Sequence, residues 1–257
     1  MKRAGGLSLF ALKLIAVLSM TIDHVGLLFF PGQLWLRCIG RLAYPIFCFL
    51  IVNGFAHTRS RWNYLARLLG FAVLSQLPFT LMCGVGPGTE ALSRLFASPA
   101  FFFQSLTQTL NTLFSLSFGL LALIVLERCR DFFAQKDRAW LGWLLGLLAA
   151  AGLTAVCYAL RCEYDTLGIP LMTAFYATQS GKAPGREWLW FLPLGAFVLN
   201  ALLSGGSTFV WPLALFQALS LLPILLYRGE KGPGGKAVKW GFYLFYPCHM
   251  LALVGLY

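Results

Sequence analysis

Charge is scarce in this sequence. Only 11% of its 257 residues are Asp, Glu, Lys or Arg, and just nine are acidic. Soluble domains carry roughly 25% charged residues, so an ordinary water-soluble fold is excluded. Histidine is scarcer still: His24, His57 and His249 stand on three separate apolar segments, which argues against a metal centre. The chain has no metalloprotease helix motif, no nucleophile-elbow motif and no phosphate-binding glycine loop. Its seven cysteines show no zinc-type spacing, and Cys48, Cys157 and Cys248 fall inside apolar runs, where they read as packing residues.

Apolar residues fill the space that charge leaves. They make up 59% of the chain, with 23 Phe, 8 Trp and a mean hydropathy of +0.74. Runs of about 20 apolar residues, the length a helix needs to cross a bilayer, recur with short breaks. We therefore expect an all-α, polytopic integral membrane bundle forming one transmembrane domain over residues 1–257. About nine helices are predicted, near 7–30, 34–57, 62–82, 106–127, 140–160, 167–178, 187–204, 209–227 and 238–257. The first run lacks a small-residue cleavage site and contains Asp23 and His24, so it reads as a retained helix and not a signal peptide.

The formal net charge of +11 would suggest nucleic acid in a soluble protein, but here the basic residues alternate between loops. Lys2 and Arg3 precede the first helix. Arg59, Arg61 and Arg67 surround the second connection, Arg128, Arg130, Lys136 and Arg138 the fourth, Lys182 and Arg186 the sixth, and Arg228, Lys231, Lys236 and Lys239 the eighth. Arg37, Arg41, Arg94 and Arg161 lie on the other side. Because short cytoplasmic loops retain Lys and Arg, the pattern places the N-terminus inside and, with an odd helix count, the C-terminus outside. The long connection from Cys83 to Gln104, with Gly86 and Pro87, then lies outside as a surface-lying or re-entrant segment.

Polar residues within the helices share a depth on this topology. His24 lies in the outward part of helix 1, Arg41 and Tyr44 in that of helix 2, Gln76 in helix 3 and Asn111 in helix 4. Tyr164 and Asp165 stand at the outward entrance to helix 6, and His249 near the middle of helix 9. Lipid cannot satisfy such groups, so they are expected to turn inward onto a polar pocket. Lys13 and His24, eleven residues apart, project from nearly one stripe about 16.5 Å apart along the axis. Snorkelling to the inner surface is the competing reading for Lys13. For His24 it is a buried, hydrogen-bonded imidazole in place of a general base. Asp23 is placed to pair with Arg41. Arg59, Arg61 and Arg67 form an inner basic collar able to grip phosphates, or simply to anchor the chain by the positive-inside rule.

The stretches LKLIAVLSMTIDHVGLLFFP from Leu12, LRCIGRLAYPIFCFLIVNGFAHTRSRWNYLARLL from Leu36, SQLPF from Ser75 and FYLFYPCHM from Phe242 resemble the TraX family of bacterial membrane acetyltransferases, whose founding member N-acetylates conjugative pilin. NTLFSLSFGLL from Asn111 and YDTLGI from Tyr164 match weaker blocks, so the resemblance spans nearly the whole chain. That family is similar in turn to wider transmembrane acyltransferases, which carry acetyl groups from cytoplasmic acetyl-CoA to an acceptor outside. The resemblance implies a multi-pass protein of the bacterial cytoplasmic membrane, with acetyl-CoA as donor and a pilin amine or a cell-surface or cell-wall glycan as acceptor. It makes His24, preceded by basic Lys13 three turns earlier, the catalytic residue.

On this reading Asp23, Arg41 and Asn111 assist catalysis, and Lys13, Tyr44, Arg59, Arg61, Arg67, Arg128 and His249 serve the acetyl-CoA path. Gln76, Tyr164 and Asp165 face the acceptor. Gln76 stands where the family is expected to carry Glu, which removes a second acid from that position. Nucleic acid is not an expected partner, membrane lipids are, and a homodimer is compatible with the chain. The rival functional classes are a transporter or lipid flippase, in which the same polar layer would be a substrate site, and a structural membrane subunit of a secretion or conjugation apparatus.

Overall fold

The computed structural model describes residues 6–84, 91–180, 187–204 and 210–257. Lys2, Arg3, Gly86, Pro87, Lys182 and Arg186 lie outside the described residues. Thirteen α-helices are described: α1 Leu9–Phe29, α2 Leu34–Gly40, α3 Ala43–His57, α4 Arg61–Phe79, α5 Ala91–Leu95, α6 Pro99–Gln108, α7 Thr112–Ala134, α8 Ala139–Ala159, α9 Gly168–Ser180, α10 Phe191–Leu203, α11 Val210–Leu219, α12 Leu221–Leu225 and α13 Lys236–Leu256. No strand occurs among the described residues.

Local chemistry explains where the helices begin, bend and stop. The Ser8 hydroxyl accepts from Ala11 N at 3.2 Å and caps α1, which ends just before Pro31. The single helix predicted over 34–57 is interrupted at Arg41 and Leu42. There Arg41 N reaches back to both Arg37 O and Cys38 O, and Leu42 N to Ile39 O, a tightened turn that separates α2 from α3. Near the end of α4, Pro78 lacks an N–H and crowds the preceding carbonyls. The chain continues as a π-helical turn over Thr80–Gly84. The predicted span over 209–227 is broken at Ser220 into α11 and α12.

Among the described residues, five helical stretches are long and apolar enough to cross a membrane: Leu9–Phe29, Leu34–His57, Arg61–Cys83, Thr112–Ala134 and Ala139–Ala159. At 1.5 Å per residue, a 21-residue helix spans ~31 Å, the thickness of a hydrocarbon core. Large apolar side chains on α8 (Leu144, Leu147, Leu148) and α10 (Phe191, Leu199, Leu203) lie exposed. Lipid suits such surfaces and water does not. The remaining predicted spans correspond to shorter or broken helices and to α13, so five of the nine meet the length and hydropathy a span needs.

The chain divides into two compact units. The first comprises Met1–Leu50, Leu74–Gln108 and Ala201–Tyr257, and the second Ile51–Val73 and Thr109–Asn200. In the first unit α1 and α13 run in the same direction. Phe10 meets Phe242, His24 meets His249 and Phe29 meets Tyr257, so contacts advance together along both helices. In the second unit α7, α8 and α9 pack together. Gly142 and Gly146 let α8 lie against α7: a Cβ at Gly142 would stand 2.7 Å from Cys129 O, and one at Gly146 2.9 Å from Leu126 Cα.

Candidate active site

The first unit brings two of the three histidines together. His24 Nδ1 lies 2.7 Å from His249 Nε2, and the two rings are parallel to within 5°. His249 Nδ1 lies 2.9 Å from the Phe245 carbonyl one helical turn back. A carbonyl only accepts, so His249 Nδ1 carries a proton and donates it. The neutral ring then presents Nε2 as an acceptor, which receives the His24 Nδ1–H. The His24 Nε2 lone pair is left for another group. One backbone carbonyl thus sets two tautomers in series, the logic by which a carboxylate orients a catalytic imidazole. Phe245 stacks on His249 at 5.0 Å between centroids, and Tyr246 packs beside it at 5.9 Å.

Next to His24 sits a buried charge cluster. Arg37 Nη1 donates to Asp23 Oδ2 at 3.0 Å and to the Asp23 carbonyl at 3.3 Å, while Arg41 Nη2 reaches both carboxylate oxygens at 3.4 Å. The expected pairing of Asp23 with Arg41 is present, and Arg37 joins it. All three side chains are at most a quarter exposed. Two guanidiniums on one carboxylate leave a net positive charge beside His24. Gly40 makes the approach feasible, since a Cβ there would run into the Asp23 side chain.

The remaining residues of this unit fall at known places. Lys13 turns toward α13, its Nζ 5.3 Å from the Phe242 ring centroid, so Lys13 and His24 both face the same helix. Tyr44 is buried in α3. Gln76 is buried and donates from Nε2 to Leu106 O at 2.9 Å, which ties α4 to α6. Flanking it, the buried Ser75 and Thr80 hydroxyls have no hydrogen-bond partner among the described residues. These two are polar groups that sequence reasoning passed over. The π-helical turn beginning at Thr80 is the local irregularity that accompanies them.

The second unit holds the other expected site residues. Arg61 and Glu127 form an ion pair, with Arg61 Nη2 2.8 Å from Glu127 Oε1, and the Arg61 guanidinium stacks 4.4 Å over the Phe55 ring centroid. Arg61, Glu127 and Arg128 line one cavity of about 650 Å³, together with Asp131 and Gln135. Arg59 is exposed, and Arg67 stacks 5.4 Å from the Tyr64 ring centroid. Glu127 was not foreseen; it is a buried acid in the C-terminal half of α7, the kind of residue that needs a cation.

Asn111 is the N-cap of α7, one residue before the helix, and does not lie inside a span that begins at 106 as predicted. Its Oδ1 accepts from Leu113 N at 3.0 Å and its Nδ2 donates to Ala72 O at 2.8 Å. Capping is the role in which an Asn amide is preferred over helix interior. Tyr164 adopts the left-handed conformation (φ 58°), and Asp165 Oδ1 accepts from Thr166 N at 2.7 Å. Asp165 lines a second cavity of about 510 Å³ with Thr109, Tyr158 and Arg161. Among the described residues no cluster of three or more His, Cys, Asp or Glu can hold a metal ion.

The family model described as TraX protein matches residues 8–257. A probable fimbrial assembly protein, FimC of serogroup H1, from Dichelobacter nodosus is 33% identical over 267 residues, covering 98% of this chain and 97% of the relative. An uncharacterized protein from Rickettsia prowazekii (strain Madrid E) is 37% identical over 71 residues, covering 28% of this chain and 27% of that protein. No solved structure matches. With a family match that runs from the cap of the first helix to the last residue, the chain belongs to the TraX family.

Proposed function

We propose that this protein is a membrane acetyltransferase that takes the acetyl group of cytoplasmic acetyl-CoA and delivers it to an acceptor outside the membrane. The relative named for fimbrial assembly favours a pilus subunit amine as that acceptor, with a surface glycan hydroxyl as the other member of the class. The observation that carries the reading is the ordered pair of imidazoles, because it leaves His24 Nε2 as an oriented base on α1.

In the proposed reaction His24 Nε2 accepts the proton of the acceptor amine or hydroxyl as that group attacks the thioester carbonyl. The carbon–sulfur bond breaks, the CoA sulfur leaves as thiolate, and the imidazolium returns its proton to it. His249 holds the His24 ring through the developing positive charge, since its Nε2 accepts a stronger hydrogen bond from an imidazolium than from a neutral ring. Arg41, in the Asp23 cluster beside His24, is the cation assigned to favour the tetrahedral oxyanion. Lys13, Tyr44 and Gln76 are the remaining polar candidates of this unit, and Asn111, Tyr164 and Asp165 those of the other. The phosphates of acetyl-CoA are assigned to the basic collar of Arg59, Arg61, Arg67 and Arg128, where Arg61 is already bound to Glu127 and Arg128 lines the same cavity.

A transporter reading would use the same polar groups without binding a nucleotide thioester. Calorimetry on the purified protein with acetyl-CoA separates the two. Saturable binding that free CoA competes away supports the enzyme, and absence of binding at millimolar acetyl-CoA rejects it.

A further inference from the structure

α8 ends in a turn whose hydrogen bonds are specific. Cys162 N donates to Cys157 O at 2.9 Å, Arg161 N to Tyr158 O at 3.0 Å, and Arg161 takes the left-handed conformation with φ 53°. This is a Schellman ending, in which a 6→1 and a 5→2 bond fold the chain back and press the residue after the turn against the last full turn of helix. Here the two residues so pressed are both cysteines. Cys157 and Cys162 are both buried and share one packed cluster with Ala122, Ala150 and Ile169. The backbone bond between them is short enough to keep their Cα atoms within the ~4.4–6.8 Å that a disulfide spans.

The compartment matters as much as the geometry. Arg128, Arg130, Lys136 and Arg138 gather around the connection at the start of α8, which the charge rule keeps in the cytoplasm, so the cysteine end of α8 faces outward. Outside the cytoplasmic membrane thiols oxidise and disulfides persist. We infer that Cys157 and Cys162 are joined as a structural disulfide in the mature protein, formed as this end of the chain folds on the outer face. The two thiols lose two protons and two electrons and gain a sulfur–sulfur bond. The electrons pass to an extracytoplasmic thiol–disulfide oxidoreductase, whose own disulfide becomes a dithiol.

Such a bond would fasten a segment that carries several candidate site residues. Cys162 bridges to Leu110, Glu163 N donates to Leu110 O at 2.8 Å, and the Glu163 carboxylate accepts from the Thr112 hydroxyl. Asn111 lies within this seam, and Tyr164 and Asp165 follow it. The disulfide would therefore hold the outer rim of the second unit, independently of which acceptor binds there.

The inference rests on the inside N-terminus, and the test separates the two. Wild-type protein in membranes is quenched in acid, denatured, alkylated with a maleimide and cleaved at Arg161, and the peptides are weighed with and without reduction. The expected result is that Cys157 and Cys162 escape alkylation and their peptides stay linked until reduced, while in cells lacking the extracytoplasmic thiol oxidase both are alkylated. Orientation is read separately from Tyr158→Cys in a C157A/C162A background, treated with a membrane-impermeant maleimide. Labelling from outside together with free wild-type thiols overturns the disulfide and leaves the topology standing. Labelling only after the membrane is opened overturns the topology and the disulfide with it.

Discussion

His24 and His249 face each other at 2.7 Å across α1 and α13, joined edge to edge by Nδ1 and Nε2, with the Phe245 carbonyl behind them. The first and last helices of the chain are thereby bound into one polar unit. The consequence is directional, because the chain of donors ends at a lone pair on His24.

Replacing His249 should slow the chemistry and leave binding alone. His249→Ala removes the acceptor that selects the His24 tautomer, and a loss in kcat of order 10- to 100-fold is expected with KM for acetyl-CoA unchanged. His249→Gln keeps an acceptor of similar reach and should recover part of the rate. A packing role alone would show as lowered thermal stability in both variants with no difference in kcat between them.

The rate should fall at acid pH in the wild type. A proton added to the pair either occupies His24 Nε2 or breaks the bond to His249, so the base is lost in both cases. The profile of kcat against pH checks this, and the acid limb should move in His249→Ala because the ring then titrates alone.

Asp23 holds two cations inside the membrane region, so its loss should be felt as stability. Asp23→Asn leaves Arg37 and Arg41 without their counter-charge, and breaking one side of such a buried cluster costs about 3–5 kcal/mol. Thermal unfolding in detergent measures it. The double variant Asp23→Asn with Arg41→Gln removes one stranded cation and should regain part of the loss.

Five of the predicted spans were legible because long apolar runs form long apolar helices, and the Asp23–Arg41 pair was legible because an acid in an apolar helix needs a cation. Arg37 was not, although it stands four residues before Arg41, the C-cap of α2, so that both reach the same side of that last turn. The breaks at Arg41 and Ser220 were hidden because neither carries a proline at the break itself. Asn111 was read as a residue within a helix because hydropathy does not register a cap. The pairing of His24 with His249 spans 225 residues of sequence, and a single chain offers no local signal for it.

Arg161 occupies a position that favours glycine. Its φ of 53° closes the end of α8, and a side chain there costs ~1 kcal/mol relative to glycine. Arg161→Gly should raise the melting temperature by a few degrees, read by the same unfolding assay. A fall would show that the guanidinium holds a contact worth more than the backbone strain.

Arg61 and Arg128 line one cavity but should behave differently. Glu127→Ala frees Arg61 and should destabilise the protein by about 1–2 kcal/mol, a modest figure because water reaches more than a third of the Arg61 side chain. Arg128→Ala should raise KM for acetyl-CoA about tenfold with kcat unchanged, as expected on losing one charge-assisted phosphate contact.

Acetyl transfer across a sealed membrane tests the central claim most directly. The purified protein is reconstituted into vesicles with radiolabelled acetyl-CoA sealed within and a pilin subunit with a free N-terminal amine outside. Label on the external subunit is then compared between wild type and His24→Ala. We expect transfer by the wild type, and by His24→Ala at least a hundredfold less with acetyl-CoA binding retained. Transfer at the wild-type rate by the His24→Ala protein would contradict the account.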